Sequence, residues 1–168
     1  MEPTRFWFKS WTSGSSDEVF IENDKTPIEI WIDGNLKNSA QAKVHITSNN
    51  FQVIFHCNGN FDMQGGGIVN DLAVVGGVAV PSQIKPENLV IDMTGTGRML
   101  DIGGNPTMAA TIYAPGSDVR FHGDGQKTNG FWGSSIGKSL TVLGNFELHY
   151  DESRKSVNER PWRVRMVE

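Results

Sequence analysis

The 168-residue chain reads as all-β, a right-handed, single-stranded parallel β-helix of about six coils with a cap at each end. Three observations predict it. The first is a recurring corner: Asp33-Gly34-Asn35, Asn58-Gly59-Asn60, Gly103-Gly104-Asn105, His122-Gly123-Asp124-Gly125 and Leu143-Gly144-Asn145. The gaps between Gly34, Gly59, Gly104, Gly123 and Gly144 are 25, 45, 19 and 21 residues, and the 45 reads as two coils with one degenerate turn between them. A period of about 20 to 25 with strand-like content suits one repeat per solenoid coil. Second, the runs between corners are short and rich in β-branched residues, with turn residues at their ends. Third, the repeats share a register. Val53-x-Phe55-His56-x-Asn58-Gly59 matches Val119-x-Phe121-His122-x-Asp124-Gly125, 66 residues later. Stacked coils rise by about 4.8 Å, so equivalent side chains form columns. This places Phe55 and Phe121 on one inward column, and Leu36, Phe61 and Phe146 on another, with Asp62 and Glu147 also sharing a column. Gly and Asn suit the corner because both tolerate positive φ.

Taken in order, residues 1–18 differ from the rest. Phe6, Trp7, Phe8 and Trp11 cluster ahead of a polar Ser-Gly-Ser-Ser stretch. An open solenoid end exposes apolar surface and unpaired strand edges, so the segment reads as a cap folded over that end, with a partner-binding patch as the alternative. Residues 19–151 form the β-helix. Its strand candidates are Ile28–Ile32, Val44–Thr47, Phe51–Phe55, Leu89–Met93, Val119–His122 and Leu140–Leu143. The apolar run Ile68–Val80, flanked by Gly65-Gly66-Gly67 and Gly76-Gly77, is the degenerate coil, and Pro81–Pro86 is a loop leaving the solenoid. Residues 152–168 are a charged C-terminal cap or tail, with room for one helical turn before Pro161.

Composition narrows the function. With 15 Lys and Arg against 19 Asp and Glu, the net charge is −4, which argues against the basic stripe of a nucleic-acid binder. The single cysteine, Cys57, excludes an internal disulfide framework, and its apolar setting marks it as a small core residue. No stretch approaches the roughly 18 to 20 apolar residues of a membrane span, and the first residues lack the apolar centre of a signal peptide.

The string Tyr113-Ala114-Pro115-Gly116-Ser117-Asp118-Val119, followed by Gly123-x-Gly125, Ser135-Ile136-Gly137-Lys138-Ser139-Leu140, Gly144-Asn145 and His149-Tyr150-Asp151, resembles a β-helical domain of bacterial pilus-assembly and other surface-exposed proteins. Gly116-Ser117 stands where that family usually has Asn-Ala, and Phe131–Ser135 where it has small apolar residues. The resemblance covers about Val19 to Asp151. It implies a location at the cell surface, outside the cell, and a solenoid architecture. It supplies no catalytic residues.

The chemistry-bearing residues are few. His56 and His122, three coils apart in the expected register, are roughly 14 Å from one another and cannot share a metal ion. Together with His45 and His149 they read as polar or corner residues bonding to backbone. Asp118, Asp124 and Asp151 fall in neighbouring C-terminal coils, with Arg120 and Lys138 close by. They are the best candidates for a catalytic or calcium site, although Asp at solenoid corners ordinarily caps backbone groups. Gly137-Lys138-Ser139 is a false phosphate loop, because a strand-like run follows it where a helix is required. Phe131-Trp132 lies among Gly, Asn and Ser, and either fills the core or stacks on a sugar ring or partner.

These readings point to a non-enzymatic structural or adhesive surface module without cofactor or metal. The partners expected are a surface glycan, other pilus or surface proteins, or further copies joined through the solenoid ends. The alternatives are a carbohydrate-binding or polysaccharide-cleaving β-helix, and a self-assembling scaffold.

Overall fold

Strands come in threes. The computed structural model describes residues 1–39, 41–70, 74–75, 78–79, 85–104, 107–123 and 130–150. The chain opens with β1 (Thr4–Phe8), β2 (Trp11–Ser13) and β3 (Glu18–Ile21). The set repeats as β4 (Ile28–Ile32), β5 (Leu36–Asn38) and β6 (Lys43–Ile46), then as β7 (Val53–Cys57), β8 (Phe61–Met63) and β9 (Ile68–Val69). A short pair follows, β10 (Val74–Val75) and β11 (Val78–Ala79). After a 3-10 turn at Pro86–Asn88 come β12 (Leu89–Met93), β13 (Met99–Gly104), β14 (Thr107–Gly123), β15 (Gly130–Gly144) and β16 (Glu147–Tyr150).

Each strand pairs with its counterpart in the next set, and always in parallel apart from the antiparallel β10–β11. One ladder runs β1-β4-β7-β12 into the first half of β14, then to the first half of β15 and β16. A second runs β2-β5-β8-β13 into the second halves of β14 and β15. The third is β3-β6-β9. Because β14 belongs to both of the first two ladders, they merge into one nearly closed 11-stranded sheet. The join is a register shift between Ala114 and Asp118, where Pro115 and Gly116 turn the strand from one ladder to the other.

Alternation along these strands builds the interior. In β4, β7 and β12 every second residue is buried, so Ile28, Val53 and Leu89 make one column and Ile30, Phe55, Ile91 and Ile112 the next. In the second ladder Leu36, Phe61, Leu100 and Val119 stack, and beside them Asn38, Met63, Ile102 and Phe121. Fully burying such a side chain stabilises the fold by about 1.5–3 kcal/mol, so the columns are the principal source of stability. Asn38, the polar member, donates from its amide to the Ala42 carbonyl at 2.7 Å, while its Oδ1 is buried without a hydrogen-bond partner among the described residues.

The all-β, parallel architecture agrees with the sequence, but its register does not. Phe55 and Phe121 occupy different ladders, with Phe55 beside Ile91 and Phe121 beside Ile102. The Val-x-Phe-His pattern recurs because both strands alternate and both run into a glycine corner, not because they stack. Leu36 and Phe61 do share a column, whereas Phe146 lies outside it and packs on the Phe121 ring at 5.3 Å. The described residues of the apolar run Ile68–Val80 form no separate coil. β9 completes the third set, and β12 pairs directly with β7, so β10–β11 is an excursion within one long step. Pro81–Ile84 lies outside the described residues, while Pro86 opens the 3-10 turn.

Two further expectations change. The aromatic segment does not fold over the end of the stack. It is the end, since β1 and β2 pair in register with β4 and β5. Nor do all corner glycines need positive φ. Gly104 (φ 85°) and Gly144 (φ 72°) have it. Gly34 and Gly59 are required for closeness instead: Gly59 N–H donates to the Gly34 carbonyl at 3.1 Å, and a Cβ on Gly59 would overlap the Gly34 backbone.

Candidate functional site

The outer face of the second ladder carries the densest chemistry. Asp118, Arg120 and His122 alternate along β14 and so project from one face. Parallel pairing sets Asp101 of β13 beside Arg120, and Asp62 of β8 beside Asp101. Lys37 of β5 and Thr141 of β15 extend the row at its two ends. The row Lys37–Asp62–Asp101–Arg120 thus alternates a cation, two carboxylates and a cation across adjacent strands.

Asp101 is the centre, only 7% exposed. The Arg120 guanidinium grips both its oxygens, with Nε donating to Oδ1 at 2.9 Å and Nη2 donating to Oδ2. This hydrogen bonding and charge push the Arg120 pKa further above its already high ordinary value, with Asp62 adding to the effect. His122 Nε2 lies 3.2 Å from Asp101 Oδ1. Gly103 makes room for that approach, because a Cβ there would collide with the His122 ring and the Gln64 amide. Gln64 in turn donates to Asp62 Oδ1 at 2.7 Å. Beside this cluster Arg120, His122, Gly123, Leu143 and Gly144 line an open depression of about 320 Å³.

The other histidines follow a related scheme on the outer face. His56 stacks on Trp31 with ring centres 3.9 Å apart, and its Nδ1 lies 2.8 Å from Asp92 Oδ2. His45 stacks on Phe20 at 4.6 Å, with Glu18 at 3.7 Å. His149 stacks on Trp132 at 4.7 Å, with Glu147 at 3.2 Å. The histidines therefore meet aromatic faces and carboxylates rather than the backbone groups expected for corner residues. His56 and His122 also sit in different ladders, and Asp62 shares its column with Asp101 instead of Glu147. Among the described residues no three His, Cys, Asp or Glu side chains gather as a metal site.

The sequence-derived candidates separate. Phe131 points inward, 3% exposed, against Phe121 at 5.0 Å. Its neighbour Trp132 points outward, as alternation requires, and the His149 ring covers one of its faces. Asp118 accepts from Ser139 Oγ at 2.6 Å on the same face as Arg120. Asp124 and Asp151 lie outside the described residues. Gln64 and Asp101 were missed, and Asp62 was aligned with Glu147 instead of Asp101. Their signal was present: Phe61-Asp62-Met63 and Leu100-Asp101-Ile102 are the same apolar-Asp-apolar triplet. Reading residues 59 to 104 as two coils hid that these triplets are neighbours.

A saturated carboxylate of this kind locks strands together. Asp101 is bound by Arg120 and approached by His122, so its lone pairs are committed, and the row reads as an electrostatic staple across β8, β13 and β14. The depression beside it offers the outer edge of Arg120 and one imidazole to a ligand.

A family model described as "Domain of unknown function (DUF7305)" matches residues 2–157, and the chain belongs to that family. No curated protein and no solved structure matches it.

Proposed function

We propose that this member of the DUF7305 family is a right-handed, single-stranded parallel β-helix of about six coils, acting as a rigid, non-enzymatic module of a bacterial cell-surface or pilus-associated protein. It holds or displays a partner and does not transform a substrate. The observation that carries this reading is how the outward polar groups are used: Asp101 on Arg120, Asp92 beside His56, and Glu29 on Arg5. Each pair ties one strand to the next, which stiffens a scaffold and commits groups that acid–base chemistry would need free. The Tyr113–Val119 and Ser135–Leu140 strings, with their likeness to pilus-assembly domains, support the surface location. The test is protease shaving of intact cells alongside sheared pilus fractions. Release of the domain, or its presence among the pili, is the expected result, and a protein found only inside the cells would sink the proposal.

A second reading rests on Asp62 and Asp101. They stand on adjacent strands about 4.8 Å apart, beside the depression at Arg120, as a polysaccharide-cleaving or sugar-binding site would require. A glycan array and a cleavage assay on acidic and neutral polysaccharides decide it. Turnover abolished by Asp62→Asn with unchanged stability would establish the enzyme and overturn the scaffold.

A further inference from the structure

The first three strands end the stack with their outer edges free: among the described residues nothing pairs with β1, β2 or β3 on the side away from β4, β5 and β6. Their side chains leave a broad aromatic face. Phe6 is 45% exposed, Trp7 64%, Phe8 41% and Phe20 58%. Phe6 belongs to the column whose next members, Ile30 and Phe55, are buried, so it is a core position that lacks one neighbour. A free edge of this kind is a template for another strand.

We propose that this edge is an interface between two copies of the chain, joined by antiparallel pairing of β1 about a two-fold axis through Phe6. This goes beyond the function proposed above and does not depend on it. The backbone sets the parity. Thr4 N–H donates to the Pro27 carbonyl at 2.9 Å, and the Phe8 carbonyl accepts from Asp33 N–H at 3.0 Å. Residues 4, 6 and 8 therefore face β4, and alternation turns the N–H and C=O of Arg5 and Trp7 to the free edge. Lys9, just past β1, gives its carbonyl to Gly34 N–H at 2.8 Å, so only registers that set residues 5 and 7 opposite one another can form hydrogen bonds.

Charge then selects among them. Arg5 opposite its own copy is a like-charge contact, and Trp7 opposite its own copy brings Arg5 against Lys9. The remaining register sets Arg5 against the other copy's Trp7, twice, with both residues on the same outward face. The guanidinium can lie over the indole while its Nε stays on Glu29 Oε2 at 2.8 Å. Phe6 falls on the axis as a non-hydrogen-bonded pair, the closest approach an antiparallel ladder offers to side chains. Such a contact is isologous and closes at two copies. Its small area makes it a weak dimer, of micromolar affinity.

Sedimentation of the chain over a hundredfold concentration range should show monomer passing to dimer and no further. Trp7 is exposed, so its variants keep the fold, which thermal melting verifies. Trp7→Lys, facing Arg5, should weaken the dimer at least tenfold, whereas Trp7→Glu, facing the same Arg5, should bind more tightly than Trp7→Lys by a similar factor. Phe6→Cys should form a disulfide-linked dimer under mild oxidation and Phe8→Cys should not, Cys57 being buried. A chain that stays monomeric throughout would overturn the interface and assign the edge to another occupant. Equal weakening by both Trp7 variants, or cross-linking through Phe8→Cys in preference, would overturn the register.

Discussion

Phe55→Ala tests the stacked core most directly. Phe55 is fully buried, between Ile30 and Ile91 in its column, with the Trp11 and Phe61 rings at 6.2 and 6.1 Å. Walls on every side cannot collapse onto the vacancy, so the substitution should destabilise by about 3–5 kcal/mol. Phe6→Ala makes the same chemical change in the same column but at its open end. Phe6 is 45% exposed and no further strand encloses it, so little cavity forms and the loss should be about 1 kcal/mol. Phe121→Ala, in the other ladder, should again cost about 3–5 kcal/mol. With Phe55 and Phe121 in separate columns, the double variant should be additive to within about 0.5 kcal/mol. Urea unfolding followed by tryptophan fluorescence measures all four. Equal losses at Phe6 and Phe55 would refute the end-rung argument, and a large coupling between Phe55 and Phe121 would restore the single column that the register denies.

Three other outcomes are expected. Asp101→Asn should destabilise by about 1–2 kcal/mol by weakening the grip on Arg120, discounted because Arg120 is partly solvated, while Asp62→Asn should be near neutral because it also relieves repulsion between the two carboxylates; urea midpoints check both. Burial pushes the Cys57 thiol up from its ordinary value, so native protein should resist iodoacetamide at neutral pH and be alkylated in step with global unfolding. The Arg5 hydrogen bond holds the Glu29 carboxyl below its ordinary value. A folded pKa lower than the unfolded one adds stability above about pH 4.3, lost as pH falls through the folded value. The melting-temperature gap between wild type and Glu29→Gln should therefore close in acid, and a gap unchanged at low pH would show that the pair contributes nothing of this kind.

Much of this architecture was legible in the residues. Ile28-Glu29-Ile30-Trp31-Ile32 and Val53-Ile54-Phe55-His56-Cys57 announce strands with one buried face, and the structure buries the alternate positions in both. Leu36 and Phe61 were correctly aligned because each follows a Gly-Asn corner in successive repeats of equal length. The candidate site was less legible. Arg120 was noticed only as a neighbour of Asp118, and its real partner Asp101 was not noticed at all. Phe131 and Trp132, adjacent in the chain, turned out to serve opposite faces.

Strand content, alternation and corner chemistry are local properties, settled within a few residues by backbone sterics and the spacing of apolar groups, and so any reader of the chain recovers them. Which strand lies on which is not local. It depends on how many residues each turn consumes, and the long passage from β8 to β12 consumes more than its neighbours; its glycine pairs and Pro81–Pro86 mark it as irregular, but not as a single step. Partners such as Asp101 and Arg120 meet only after that length is known, because a charged pair across a ladder is chosen by register and register is set by folding in three dimensions.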